Sequence, residues 1–197
     1  NKRMKVDLVF YLPNRHYDHV SVKMLNGDIK LKNLALGDIF LKSTNGSMTI
    51  ENVSASMLEV EGVNGEVDVK DSQIIDFLGE TVNGNVRTKA DIKSTKVSLI
   101  NGDIRITTPK ESNPTKIEAS AVNGTIKLAV PDSIGIDGTC KTNFGSVKNR
   151  FSNIEMIREK RDKTNQSQEF RRVENDQVVV INISTTTGSI LLKDTDN

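Results

Sequence analysis

The dipeptide Asn-Gly recurs through this chain at a nearly fixed interval, and that recurrence constrains the fold more than any other feature. It stands at Asn26-Gly27, Asn45-Gly46, Asn64-Gly65, Asn83-Gly84, Asn101-Gly102 and Asn123-Gly124, so successive asparagines lie 19, 19, 19, 18 and 22 residues apart. Degenerate copies read Asn143-Phe144-Gly145 and Thr187-Gly188. A single Asn-Gly between apolar runs signals a two-residue hairpin. Hairpins need not recur at one spacing, whereas stacked repeats must.

The residues after each glycine favour stacking. Two positions on, the column reads Ile29, Met48, Val67, Val86, Ile104, Ile126, Val147 and Ile190. Four positions on, it reads Leu31, Ile50, Val69, Thr88, Ile106, Leu128, Asn149 and Leu192. Between them stand Lys30, Thr49, Asp68, Arg87, Arg105, Lys127, Lys148 and Leu191. Apart from Asn149 and Leu191 this is the in-out-in alternation of a half-buried strand. A weaker corner at Gly37-Asp38-Ile39-Phe40-Leu41 divides the period into two strand edges.

The expected fold is therefore all-β: a single-stranded, right-handed parallel β-solenoid with coils of roughly 19 residues, flattened into two facing sheets. Handedness follows the rule for parallel crossovers. Asparagine tolerates the left-handed conformation and glycine supplies it without a Cβ clash. The column Asn26, Asn45, Asn64, Asn83, Asn101, Asn123 and Asn143 is expected to form a side-chain amide ladder at the corner, a structural role and not a binding one.

One domain covers residues 1–197. Residues 1–19 read as an opening strand or cap, with Val6, Leu8 and Phe10 inward before Pro13. Residues 20–148 form the regular coils, interrupted by a protruding turn between Pro109 and Pro114. Residues 149–177 are a charged excursion that a short helix, an extended hairpin or a disordered loop would satisfy; the favoured form is a hairpin around Thr164-Asn165-Gln166 with strands near Ser152–Ile157 and Phe170–Val173. Residues 178–197 supply the last coil, and an irregular cap blunts the C-terminal sheet edge. Asn1 in place of Met reads as a boundary left by processing or excision, and no signal peptide is legible after it.

Composition removes several function classes. Lys+Arg of 27 against Asp+Glu of 26 gives a net charge of +1, so no nucleic-acid partner is expected. Aromatic residues make up 4% and Trp is absent, which leaves few platforms for stacking sugars or bases. The lone Cys140 excludes an internal disulfide and a thiolate zinc cluster, and no apolar run approaches the length of a membrane span. One cysteine does not decide the compartment.

Candidate chemistry is sparse. His16 and His19 flank Asp18, but residues i and i+3 of a strand face opposite sides, so both read as surface histidines. Gly-Asp-Ile copies at Gly27, Gly37 and Gly102 lack the nine-residue period of calcium-binding β-rolls, and their aspartates read as turn residues. Carboxylates are plentiful, yet nothing in their spacing builds the cleft that paired-carboxylate catalysis needs. No catalytic residue, cofactor or metal site is expected. Cys140 alternates with Ile136 and Gly138 and reads as packing.

One outward column rises above this background. Arg87, Arg105, Lys127 and Lys148 hold the same position in four consecutive expected coils, with Lys89 and Arg150 two residues further on. Cations stacked about 4.8 Å apart repel one another, so a stripe of them is either a solvated face neutralised by Asp103 and Glu118 or a surface for an anionic partner. Such a partner would be a cell-wall polymer, lipid headgroups or an envelope protein.

The strings Val20–Leu31, Lys42–Ile50 and Ala121–Leu128, with the opening Val9–Pro13 and the closing Ser184–Leu192, resemble a bacterial candidate-adhesin domain family of unknown function, that of the YvlB-like and LiaX-like proteins. The resemblance implies a β-solenoid that is non-enzymatic and associated with the cell envelope, and for LiaX-like members a link to envelope stress. On this reading the chain is an envelope-associated binding or adhesin-like module. The alternatives are a self-assembling scaffold of the bactofilin kind and, behind it, a polysaccharide-active enzyme. The corner assignment is tested by Asn64→Val and Gly65→Val: both should lower the thermal melting temperature, and unchanged melting of both would count against the stacked corner.

Overall fold

The structure, a computed structural model, describes residues 17–174 and 177–195. The expected opening strand with Val6, Leu8 and Phe10, and His16, lie outside the described residues. Strands β1 (His19–Asn26), β2 (Ile29–Asn45), β3 (Met48–Asn64), β4 (Val67–Asn83) and β5 (Val86–Asn101) end at successive Asn-Gly corners. They pair in parallel with each residue beside its equivalent one period on: Ile29 by Met48, Met48 by Val67, Val67 by Val86. This is the parallel β-solenoid that the repeat predicts, and it contains no helix among the described residues.

The coil has more corners than expected. Pairing between β2 and β3 is interrupted at Asn33, Gly37 and Thr44, which divides each coil into three hydrogen-bonded runs instead of two edges. The extra bend has a local cause. Asn33, Asn52 and Asp71 stand above one another in the left-handed region, with φ of 56°, 54° and 49°, a conformation that short polar side chains tolerate best after glycine. Asn52 Nδ2 donates to Asn33 Oδ1 at 2.8 Å. In β5 this corner loses a residue, since Asp71 and Ser72 together oppose Ala90 alone. That deletion is the 18-residue step.

The 22-residue step is the segment between β6 (Ile104–Thr107) and β7 (Lys116–Asn123). Its ends are pinned by Thr108 N to Ala129 O (2.9 Å) and Thr115 N to Lys93 O (2.8 Å). Thr108, Ser112 and Pro114 are buried, so only its tip protrudes.

Beyond β7 the stacking order departs from the chain order. Strands β8 (Ile126–Val130), β9 (Gly135–Phe144) and β10 (Val147–Arg150) are followed by β11 (Glu155–Arg161), β12 (Gln166–Arg172), β13 (Val178–Thr187) and β14 (Ile190–Asp194). β13 lies between β7 and β9, parallel to both. β14 lies likewise between β8 and β10. The segment expected as the last coil is thus the last in sequence but an inner coil in space. The end of the stack is closed instead by the antiparallel hairpin β11–β12, with β12 paired to β9.

Side-chain chemistry explains the choice. Val179, Ile181, Ile183, Ile190 and Leu192 are all buried, as in any interior coil. Every residue of β11 is exposed, and its string EMIREKR is charged, which suits a strand with one unpaired edge.

Each coil adds two inward layers to one core. The first column after the corner, Ile29, Met48, Val67, Val86, Ile104, Ile126, Ile190 and Val147, is buried throughout, worth about 1.5–3 kcal/mol for each fully buried aliphatic side chain. At the capped end Phe170 is fully buried, packs on Phe151 with ring centroids 6.0 Å apart, and occupies the space that a side chain at Gly138 would fill.

Beside it lies Arg172, 1% exposed. Its guanidinium donates to Asp194 Oδ1 (2.6 Å), Pro131 O (2.6 Å) and Ile134 O (2.9 Å), and stands 5.5 Å from the Phe151 ring centroid. Asp194 also accepts from Ser152 N at 2.7 Å. One buried ion pair therefore ties the hairpin, the inserted coil and the Pro131 corner together. Arg172→Met strands a buried carboxylate and should cost about 3–5 kcal/mol, measured by chemical denaturation. The double variant with Asp194→Leu should recover part of that loss, because no unpaired charge is left in the core.

Candidate functional site

The face that carries the outward column after each corner is built by β2 to β5 through their first runs and by β6, β8, β14 and β10 above them. In spatial order its first column reads Lys30, Thr49, Asp68, Arg87, Arg105, Lys127, Leu191 and Lys148. Arg87, Arg105 and Lys127 are consecutive. Lys148 is not, because the inserted β14 places Leu191 between it and Lys127. The reason is topological: two strands adjacent in sequence spacing are separated by one that arrives later in the chain.

The neighbouring column reads Lys32, Glu51, Lys70, Lys89, Thr107, Ala129, Lys193 and Arg150. From β5 to the capped end, neither column holds an acidic side chain, while Arg87, Lys89, Arg105, Lys127, Lys193, Lys148 and Arg150 are all cationic. Towards β2 the same columns alternate in sign, and Glu51 binds Lys32 at 2.6 Å and Lys70 at 3.7 Å. The basic face is therefore confined to the C-terminal half of the stack.

Its cations are not equivalent. Arg87 Nη1 is 2.7 Å from Glu66 Oε2, at the corner of the preceding coil. Among the described residues, Lys89, Arg105, Lys127, Lys148 and Arg150 make no ion pair. The two carboxylates that could have neutralised the stripe are engaged elsewhere. Asp103 Oδ1 accepts the backbone N–H of Thr125 at 2.8 Å. Glu118 stands on the long run of the coil, bound to Lys116 at 2.9 Å.

The corner beside this face is ordered by side-chain amides. Asn45, Asn64, Asn83, Asn101 and Asn123 each donate from Nδ2 to Oδ1 of the asparagine one coil back, at 2.9–3.0 Å, starting from Asn26. Asn143 stands outside this ladder. Thr187 follows Asn123 in the column and Phe144 follows Thr187, so the extra residue before Gly145 moves Asn143 off the corner position. One residue past the glycines, Asp28 and Asp103 accept backbone N–H groups of Ser47 and Thr125 (both 2.8 Å), a turn role for both aspartates.

Two features of this region escape the sequence reading. Lys193 holds the same offset from Gly188 as Lys89 does from Gly84, but its neighbours depend on the insertion of β14. A row of apolar side chains also precedes the ladder: Val63, Ile100 and Val122 are exposed and Val82 half-buried. Its signal, an apolar residue before five of the six Asn-Gly copies (Thr44 is the exception), was present in the repeat.

Comparison with known proteins places the whole fold in context. The family model described as Toastrack DUF4097 matches residues 1–193. The chain is 43% identical over 193 residues to the uncharacterized protein YvlB of Bacillus subtilis, a match covering 98% of this chain and 53% of that protein. The chain thus spans about half the length of this relative. A crystal structure of a candidate cell adhesion protein from Clostridium sporogenes aligns over 90% of this chain and 93% of its own, with a TM-score of 0.36 and 12% identity. At that TM-score the likeness bears on neither fold nor function.

Titratable groups with displaced pKa values do not describe a catalytic pair. The Glu66 carboxyl is held below the usual carboxylate range by the Asn85 side-chain amide and then by Arg87. Glu51 is lowered by Lys32, and Glu159 by Arg161 and Gln168. A general acid needs the opposite shift. His19 is exposed, and no group of three or more His, Cys, Asp and Glu side chains is placed to hold a metal ion among the described residues. Among the described residues no helix is long and apolar enough to cross a membrane. Burial pushes the Cys140 thiol up to about 12. A thiol reagent at pH 8 should therefore leave the native protein unlabelled and react fully after denaturation; rapid native labelling would contradict the packing of β9.

Proposed function

Because the chain belongs to the Toastrack DUF4097 family, we propose that it is a non-enzymatic, adhesin-like binding module of the bacterial cell envelope, whose basic lateral face meets an anionic surface or polymer. The observation that carries this reading is the cluster of unpaired cations Lys89, Arg105, Lys127, Lys148 and Arg150 on one face, with no acidic side chain in their two columns from β5 to the capped end. A net charge of +1 means that acidic groups elsewhere balance them, so the asymmetry belongs to this face and not to the whole chain. Holding like charges about 4.8 Å apart along a stack costs repulsion that an anionic partner removes. Binding of this kind is salt-sensitive, since the cations are exposed or, for Lys127, half-buried, and are screened beyond about 8–10 Å.

End-to-end polymerisation is the structural alternative. The antiparallel hairpin at the capped end argues against it, because a parallel coil cannot continue onto the exposed, charged β11.

The test is co-sedimentation of the purified chain with anionic and neutral vesicles and with cell-wall material, at low and high salt. The wild type should bind the anionic partners and release them as salt rises. The triple variant Arg87→Glu, Arg105→Glu and Lys127→Glu should lose that binding, and indifference to it would sink the reading. Glu66→Gln should act in the other direction by freeing Arg87, tightening binding at neutral pH. Acid should mimic it: Glu66 has a depressed pKa, so its pairing persists above the ordinary carboxylate range and is lost as pH falls through the lowered value.

A further inference from the structure

The Asn-Gly corners carry a chemistry that their structural role does not use. In such a pair the glycine nitrogen can attack the side-chain carbonyl carbon of the asparagine, because glycine has no Cβ to hinder the approach. The Gly N–Asn Cγ bond forms, the Cγ–Nδ2 bond breaks, and ammonia leaves with the proton that the glycine nitrogen gives up. Water then opens the cyclic imide at either carbonyl, which yields aspartate or isoaspartate. Asn26, Asn45, Asn64, Asn83, Asn101 and Asn123 are all exposed, so water reaches each of them.

The fold restrains both reacting groups. The N–H groups of Gly27, Gly46, Gly65, Gly84 and Gly102 each donate to the asparagine carbonyl of the next coil at 2.8–3.1 Å, and Gly124 N donates to Thr187 O at 2.9 Å. The ladder restrains the side chains. Asn45, Asn64, Asn83 and Asn101 are held at both ends of the amide: each donates from Nδ2 to the asparagine one coil back and accepts at Oδ1 from the one ahead. Reaction at any of these four must release one backbone and two side-chain hydrogen bonds.

Asn123 differs, and the inserted coil is the cause. Its neighbour on β13 is Thr187 where an asparagine would have continued the ladder. Asn123 Nδ2 still donates to Asn101 Oδ1 at 2.9 Å, but Asn123 Oδ1 accepts no hydrogen bond from a described residue. Reaction at Asn123 therefore releases one side-chain hydrogen bond fewer than at the four asparagines before it.

We propose that Asn123 is a site of spontaneous deamidation in the folded protein, and that the ladder protects Asn45, Asn64, Asn83 and Asn101 from the same reaction. The product carboxylate has no proton to donate to Asn101 Oδ1. It also adds a negative charge at the corner from which β8 carries Lys127 into the basic face. The chemistry at Asn123 is independent of what that face binds.

Peptide mass mapping with isoaspartate detection, on protein held at pH 8 with and without guanidinium chloride, reads each site separately. In denaturant all five asparagines should convert at similar rates. In the folded protein Asn123 should convert about fivefold faster than the other four, the scale of one hydrogen bond. Two variants move the end of the ladder. Thr187→Asn supplies the missing donor and should slow Asn123 to the rate of the other four. Asn64→Thr copies the natural Thr187-Gly188 pair into an inner coil and should raise Asn45 to the rate of wild-type Asn123, so the failure of one variant to fold leaves the other decisive. Equal rates at all five sites in the folded protein overturn the proposal. So does a fast Asn123 that a folded Thr187→Asn variant leaves unchanged.

Discussion

The structure depends on how closely one coil approaches the next at its Asn-Gly corner. At Gly65, with φ of 146°, a Cβ would be driven into the carbonyl of Gly46 one coil back, and at Gly188, with φ of 143°, into that of Gly124. No side chain fits there and few adopt that φ, so the corner must be glycine on both counts. Backbone hydrogen bonds such as Gly46 N to Asn64 O (2.9 Å) then link successive corners, and the asparagine amides beside them repeat the same spacing. With the corners superposed, every following residue is held in register. Inward columns become a core and outward columns become stripes. A like-charged row such as Arg87–Arg105–Lys127 is a consequence of that register, because side chains at one offset have nowhere to go but above one another.

The second determinant is the exchange of order near the capped end. A solenoid built strictly in sequence would leave its final coil with an open edge. Here the apolar coil formed by β13 and β14 is enclosed on both sides, and the edge falls to a hairpin whose outer strand is polar and charged. The Arg172–Asp194 pair sits where these three segments meet. A buried ion pair contributes little net stability but makes wrong arrangements costly, since either charge alone in the core is heavily penalised. That property suits a junction whose main problem is choosing among coils of nearly identical shape. The same exchange brings Lys193 and Leu191 into the basic face.

Individual residues show why some of this was legible and some not. The +2 and +4 columns were readable because burial in a parallel stack depends only on offset from the corner, and the offset is printed in the sequence. Asn33, Asn52 and Asp71 were harder, since a left-handed asparagine or aspartate without a following glycine leaves only a faint signal, and the third run of the coil went unseen with them. Phe144 displacing Asn143 from the ladder follows from one inserted residue before Gly145, which a spacing count alone assigns to the wrong position. Glu118 resembled a neutralising partner for the stripe by sequence proximity, yet the coil carries it onto a different run, beside Lys116.

By itself, the sequence determined the repeat, the parallel stack, the inward and outward alternation and the existence of a cationic column. All of these depend on local offsets, and local offsets are what a periodic chain encodes. Which coil lies beside which was decided only by the tertiary structure. Coils that share one register are interchangeable as far as pattern can tell, and the choice between them rests on non-local terms: two-sided burial of β13 and β14, the charged edge of β11, and a single ion pair between Arg172 and Asp194. Those terms separate Lys148 from Lys127, carry Lys193 into their midst, and so set the charge pattern that a partner would meet.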